Sequence, residues 1–154
     1  PLYLYNHPIN KFVAGFIGTP PMNFFKVKIA EENGNVIADE GNFKLVPTAD
    51  QQKHLKAYVG KEVWFGVRPE DLDYHDSPAA ENNMAVKVTN KEPLGAETHV
   101  FVQVQNVNIV AKCEPVVNPQ LGDTVNFTPK MDKCKFFDLE TEVNICEPEI
   151  EKKW

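Results

Sequence analysis

From Asn23 onward, apolar and polar residues alternate in short runs, and twelve prolines keep interrupting the chain. Period-two alternation marks a half-buried strand, whereas proline removes a backbone donor and breaks helices. Together they exclude a helical bundle and call for many short strands joined by turns. In Asn23-Phe24-Phe25-Lys26-Val27-Lys28-Ile29, one face carries Phe25, Val27 and Ile29 and the other Lys26 and Lys28. Glu32-Asn33-Gly34-Asn35 follows as an Asn-Gly hairpin turn. Further strands are expected at 36–38, 43–46, 63–67, 84–88, 98–104, 107–111, 125–127, 135–137 and 143–145. The best helix candidate spans 50–58, with Thr48 as its cap. Residues 73–83 read as a polar loop, and Glu92-Pro93-Leu94-Gly95 as a turn. The expected fold is mainly β, a small barrel or sandwich.

Residues 1–22 break this pattern. Asn10 is placed to cap a short helix in which Phe12, Val13, Phe16 and Ile17 form an apolar stripe. Gly18 and Thr19-Pro20-Pro21 stop it. This segment reads as a helical flank followed by a hinge. Its stripe needs a surface, either on this domain or on another. The charged tail over 148–154 is expected to fray. The first residue is Pro1 rather than methionine, so a catalytic part of the chain is expected upstream. No apolar run approaches the roughly 20 residues of a membrane helix, and the N-terminus lacks a signal-peptide pattern.

The chemistry-bearing residues are sparse. The net charge is −6, which opposes a phosphate-neutralising surface, so no nucleic-acid partner is expected. Cys113, Cys134 and Cys146 are odd in number and lack CxxC spacing, which points to free thiols in a reducing compartment. Cys134 lies between Lys133 and Lys135 but without partners for a nucleophile, and reads as structural. There is no phosphate loop: Gly15-Phe16-Ile17-Gly18 has bulky residues between its glycines and no following lysine. Asp71, Asp73, His75 and Asp76 could ligate a hard cation, but they lack the glycine and closing glutamate of a calcium loop and read as a solvated acidic loop. The aromatic doublets Phe24-Phe25, Trp64-Phe65 and Phe136-Phe137 read as core. Arg68 is the sole arginine, expected to clamp a carboxylate such as Glu70 or Asp71. No catalytic, cofactor-binding or metal-binding residue is expected in this chain.

Several segments carry a resemblance. Leu4-Tyr5-Asn6-His7-Pro8, then the run from Phe12 through Phe16, Pro20, Pro21, Met22 and Asn23 to Phe24, resembles the exit from the ATPase domain in sugar-importer ATP-binding-cassette proteins of the maltose-transporter type. Gly66-Val67-Arg68-Pro69-Glu70-Asp71-Leu72 is similar to that family's "G(I/V)RPE.L" motif. Glu92-Pro93-Leu94-Gly95-Ala96-Glu97-Thr98 is similar to its "E.LG.ET" motif. Gly122-Asp123-Thr124-Val125 and Lys133-Cys134-Lys135-Phe136-Phe137-Asp138 resemble its closing segment.

The resemblance implies a C-terminal regulatory domain with an OB-like or MOP-like β-barrel, a short N-terminal helical flank and one or two short helices. It implies three parts: 1–22 as the end of the nucleotide-binding domain and hinge, 23–147 as the regulatory domain, and 148–154 as the tail. Phe12, Phe16, Met22, Asn23, Arg68, Pro69, Glu70, Gly95, Glu97 and Thr98 are the motif positions expected to be structural or interfacial. ATP and magnesium would belong to the upstream domain. Implied partners are that domain, a second ATPase subunit, the transporter's membrane subunits and regulatory proteins, at the cytoplasmic face of a membrane. A small-ligand or oxyanion-binding OB-type module is the alternative.

Overall fold

The computed structural model describes residues 2–147. It contains two five-stranded antiparallel sheets. Sheet one comprises β1 (Asn23–Glu32), β2 (Asn35–Asp39), β3 (Lys44–Leu45), β4 (Glu62–Val67) and β10 (Lys135–Asp138), in the order β10-β4-β1-β2-β3. Sheet two comprises β5 (Leu72–His75), β6 (Met84–Pro93), β7 (Thr98–Val104), β8 (Val107–Cys113) and β9 (Thr124–Pro129), in the order β5-β9-β6-β7-β8. The two helices of the flank are α1 (Leu2–Asn6) and α2 (Lys11–Phe16); α3 (Ala49–Leu55) continues into a 3-10 turn at Lys56–Tyr58. No described helix is long and apolar enough to cross a membrane. The mainly β, OB-like expectation holds.

The inner faces of both sheets form one core. Phe25, Val27 and Ile29 of β1 meet Val63 and Phe65 of β4, Val100 and Val102 of β7, and Phe127 of β9, all buried. At about 25 cal/mol per Å² of apolar surface removed from water, such large side chains dominate the driving force. The β1–β2 hairpin turns on Asn33 and Gly34, with φ of 53° and 81°, the left-handed pair that a two-residue hairpin requires.

The aromatic doublets are not all core. Alternation puts Phe25, Phe65 and Phe136 inward and Phe24, Trp64 and Phe137 outward. The outward rings form a second cluster with Met22, and α2 covers it through Ala14. Gly66 sits in this layer because a Cβ there would come within 2.5 Å of Met22 Sδ and 3.2 Å of Phe137.

Several boundaries differ from expectation. Residues 2–6 add a first short helix to the expected helical flank. Residues 72–75 are β5, not loop: Leu72 is buried, and the strand pairs with β9. β6 runs on to Pro93, past a register shift between Val88 and Asn90, so the connection to β7 is Leu94–Glu97 in place of 92–95. Residues 143–145 make isolated bridges, Val143 with Asn10 and Asn144 with Phe137, instead of a strand. The expectation for 148–154 lies outside the described residues.

Candidate functional site

Arg68, Pro69 and Glu70 of the family-like motifs lie where the N-terminal flank meets the sheets. Asn10 caps α2 by accepting from the Val13 N–H at 2.9 Å. Pro69 opens a 3-10 turn, Pro69–Asp71, directly after β4. Arg68 therefore leaves the end of sheet one pointing toward the flank. Its side chain is 3% exposed. Nη1 donates to Ile17 O at 2.6 Å and to Ala14 O at 3.5 Å, and Nη2 donates to Tyr5 O at 3.0 Å. The guanidinium also stacks on the Tyr5 ring, 3.8 Å from its centre. These carbonyls end α1 and α2, where helices leave acceptors unpaired and a cation is favoured.

The expected carboxylate clamp is thus corrected. Arg68 binds main-chain carbonyls, and Asp71 acts on it only through space. Burial pulls the guanidinium below its ordinary range, with Asp71 opposing that shift. Burial likewise raises the Asp71 carboxyl, reinforced by Glu70 and opposed by Lys130, Lys133 and Arg68.

A cleft of about 440 Å³ opens beside this clasp. His7 and Glu147 pair across it, and Lys135 reaches Glu147 at 3.5 Å. Asp132 and Lys133 complete the rim. The far end of the chain closes over the flank. Lys11 N–H donates to Glu142 O, Asn144 N–H to Ile9 O, and Asn144 Nδ2 to Pro8 O at 2.7 Å.

Asn23 works at a second junction. Its amide Nδ2 donates to Val110 O at 2.9 Å, while its Oδ1 accepts from Val110 N–H at 3.0 Å. One side chain thereby stands in for a strand's peptide group and ties sheet one to the edge of β8. Met22 is buried beneath α2, and Glu70 is exposed on the cleft rim.

Phe12 and Phe16 are 63% and 79% exposed, with rings edge-on at 6.0 Å. The stripe does not lie on this domain, and Ala14 is what α2 buries. Gly95, Glu97 and Thr98 belong elsewhere, to the β6–β7 hairpin. Gly95 has φ of 87°, Glu97 pairs with His99, and buried Thr98 leans on Pro115 O at 3.5 Å.

The remaining candidates resolve simply. Asp73 pairs with Lys130 at 2.6 Å, and His75 Nε2 bonds Thr128 Oγ1 at 2.7 Å. No group of three or more metal-ligating side chains occurs among the described residues. Burial pushes the Cys113 and Cys146 thiols up to about 12, and Cys134 well above its ordinary value. Trp64 is flanked by Lys11 and Lys26 at 4.3 and 5.2 Å, so these cations occupy the ring faces that a base would need. Sequence reasoning missed Asn144, Gln51 and the carbonyl partners of Arg68. Their bonds run between main chain and side chain over long sequence distances and leave no motif.

Two sheets sharing one core, with a helical flank clasped to one end by a buried arginine, make an OB-type domain. Residues 18–72 match the MalK OB fold domain and residues 65–137 the TOBE domain. The chain belongs to this family of OB/TOBE domains found in the ATP-binding proteins of sugar-import ABC transporters.

It is 37% identical over 152 residues to the oligosaccharides import ATP-binding protein MsmX of Bacillus subtilis, across 94% of this chain and 40% of that protein. It is 35% identical over 150 residues to the multiple sugar-binding transport ATP-binding protein MsmK of Streptococcus mutans, across 94% and 39%. The chain thus spans about two fifths of the length of these relatives. Among solved structures, the cytoplasmic molybdate-binding protein ModG shares the fold, with a TM-score of 0.55 at 19% identity, over 74% of this chain and 94% of that one.

Proposed function

We propose that this chain is the non-catalytic regulatory and dimer-stabilising domain of the ATP-binding subunit of a sugar importer. Residues 1–22 are then the end of the nucleotide-binding domain and its hinge, 23–147 the regulatory domain, and 148–154 a charged tail. The Arg68 clasp carries this reading. It fixes the flank to the sheets through main-chain carbonyls of both short helices, so whatever precedes the flank moves the sheets as one body. Exposed Phe12 and Phe16 supply the apolar face that an upstream domain would cover. The span of the match, two fifths of ATP-binding relatives, supports the same division.

In this reading the parent chain couples ATP binding and hydrolysis to carbohydrate uptake at the cytoplasmic face of the membrane. It pairs with a second ATPase subunit and with the membrane subunits. ATP and magnesium sit upstream. The Gly15–Gly18 segment is no phosphate cradle, since it turns a carbonyl, that of Ile17, toward Arg68 Nη1, where an anion would need donors. Sequencing the coding region before Pro1 tests the proposal: a phosphate loop and signature motif are expected, and their absence overturns it. The purified chain is expected to hydrolyse no ATP, and specific turnover would contradict the division of labour.

The likeness to ModG motivates the oxyanion-binding alternative. The cleft weighs against it. Lys133 and Lys135 face Glu70, Asp71, Asp132 and Glu147, and Arg68 is already engaged. Saturable heat on titration with molybdate or sulfate would make the alternative the better reading.

A further inference from the structure

The β1–β2 turn holds the only Asn-Gly step in the chain, Asn33-Gly34. Every other asparagine is followed by a residue with a side chain, which crowds the next peptide nitrogen. Asn33 and Gly34 are both exposed at the hairpin tip. Among the described residues, nothing bonds the Asn33 amide or the Gly34 N–H. A Cβ built on Gly34 would meet no atom within 4 Å, so the space around its nitrogen is open. Other asparagine amides are engaged. Asn10 caps α2, Asn23 bonds Val110, Asn82 accepts from Val46 N–H, and Asn83 donates to Asn126.

We propose that Asn33 is a site of spontaneous deamidation, with water as the co-reactant. The Gly34 nitrogen attacks Asn33 Cγ. The N–Cγ bond forms, the Cγ–Nδ2 bond breaks, and Nδ2 leaves as ammonia with the proton of the Gly34 N–H. Water then opens the succinimide. Addition at Cγ gives aspartate at this position. Addition at the main-chain carbonyl gives isoaspartate, whose backbone runs through Cγ and is one carbon longer.

A two-residue turn that needs two left-handed residues has no length to spare. β2 is anchored beyond it: Val36 N–H donates to Gln52 Oε1 at 2.9 Å, and Val36, Ile37 and Ala38 are buried. Sliding β2 would turn its buried face outward, so the added carbon opens the tip pair Glu32–Asn35 instead. The new carboxylate also joins Glu31 and Glu32, with Glu32 held by Lys44 at 2.8 Å. β1 has 10 residues, about 33 Å of strand, and the tip lies at the end away from the Arg68 clasp. The change therefore loosens the hairpin and leaves the flank seated.

Ageing the full chain at mildly alkaline pH, followed by tryptic mapping, tests this. Cleavage after Lys28 and Lys44 yields one peptide that contains Asn33, Asn35 and Asn42. Fragment masses should place the first amide-to-acid mass gain at Asn33, with isoaspartate outweighing aspartate. Gly34→Ala should slow the reaction about tenfold by crowding the attacking nitrogen. Asn33→Gly keeps a residue suited to the turn and should abolish the early gain in this peptide. In the converted fraction, amide exchange at Asn35 should quicken, while proteolysis of the flank stays unchanged. The proposal is overturned by an earlier gain at another asparagine, by no gain at Asn33, by an unslowed Gly34→Ala, or by unaltered exchange at Asn35.

Discussion

Arg68 joins three carbonyls that would otherwise end two helices without partners. Replacing it by alanine leaves those acceptors in a buried site. Each unsatisfied group costs about 1–3 kcal/mol, so Arg68→Ala should lower the unfolding free energy by about 3 kcal/mol in urea titration. Arg68→Lys should recover only part of this, because one ammonium cannot match a planar fork that reaches Tyr5 and Ile17 together. Proteolysis within the first turns of the flank should quicken in both variants. The sequence marked Arg68 as special, being alone of its kind, but could not name its partners. Main-chain carbonyls are present at every residue, so no spacing betrays which ones an arginine will find.

At the scale of elements, alternation located most of the strands, but β5 escaped it. Leu72-Asp73-Tyr74-His75 does alternate, yet its polar residues merge with the acidic stretch that follows. The first helix, Leu2–Asn6, fits the expected helical flank, and Arg68 takes the Tyr5 carbonyl near its end. The helix α3 was legible because its cap is local. Thr48 accepts from Gln51 N–H, and the Gln51 side chain answers to the Thr48 N–H. What remained illegible is that Gln51 also donates to Met131 O at 2.7 Å and Cys134 O at 3.1 Å. Thr48→Ala should cost about 1 kcal/mol, the usual value of a cap. Gln51→Ala should cost about twice that, since it also strips two buried carbonyls of a partner. Paired denaturation curves check the ranking.

For the molecule as a whole, the buried thiols set an alkaline limit. Cys113 and Cys146 rise from an ordinary 9.0 to about 12 through burial. On raising the pH, the unfolded chain therefore releases these protons first. The stability gained by keeping the thiols neutral is complete below pH 9 and declines as the pH climbs toward about 12. Urea midpoints measured from about pH 8 to about pH 11 should fall, and more gently in Cys146→Ala than in the parent. Within this whole, the barrel and the family-like flank were legible in the sequence. The convergence at one junction was not, because His7 and Glu147 meet across nearly the full length of the chain.

That meeting of distant ends has a consequence for how the protein is made. Residues 8–11 emerge early in synthesis, but their hydrogen-bond partners lie at 142–144. A ribosome adds about 5–20 residues per second, so the flank waits several seconds for its seat. Until then the flank is held only by groups already made, Arg68 among them. The seating of the first residues is thus timed by the last ones, and a fully docked flank reports that the domain has been made to its end.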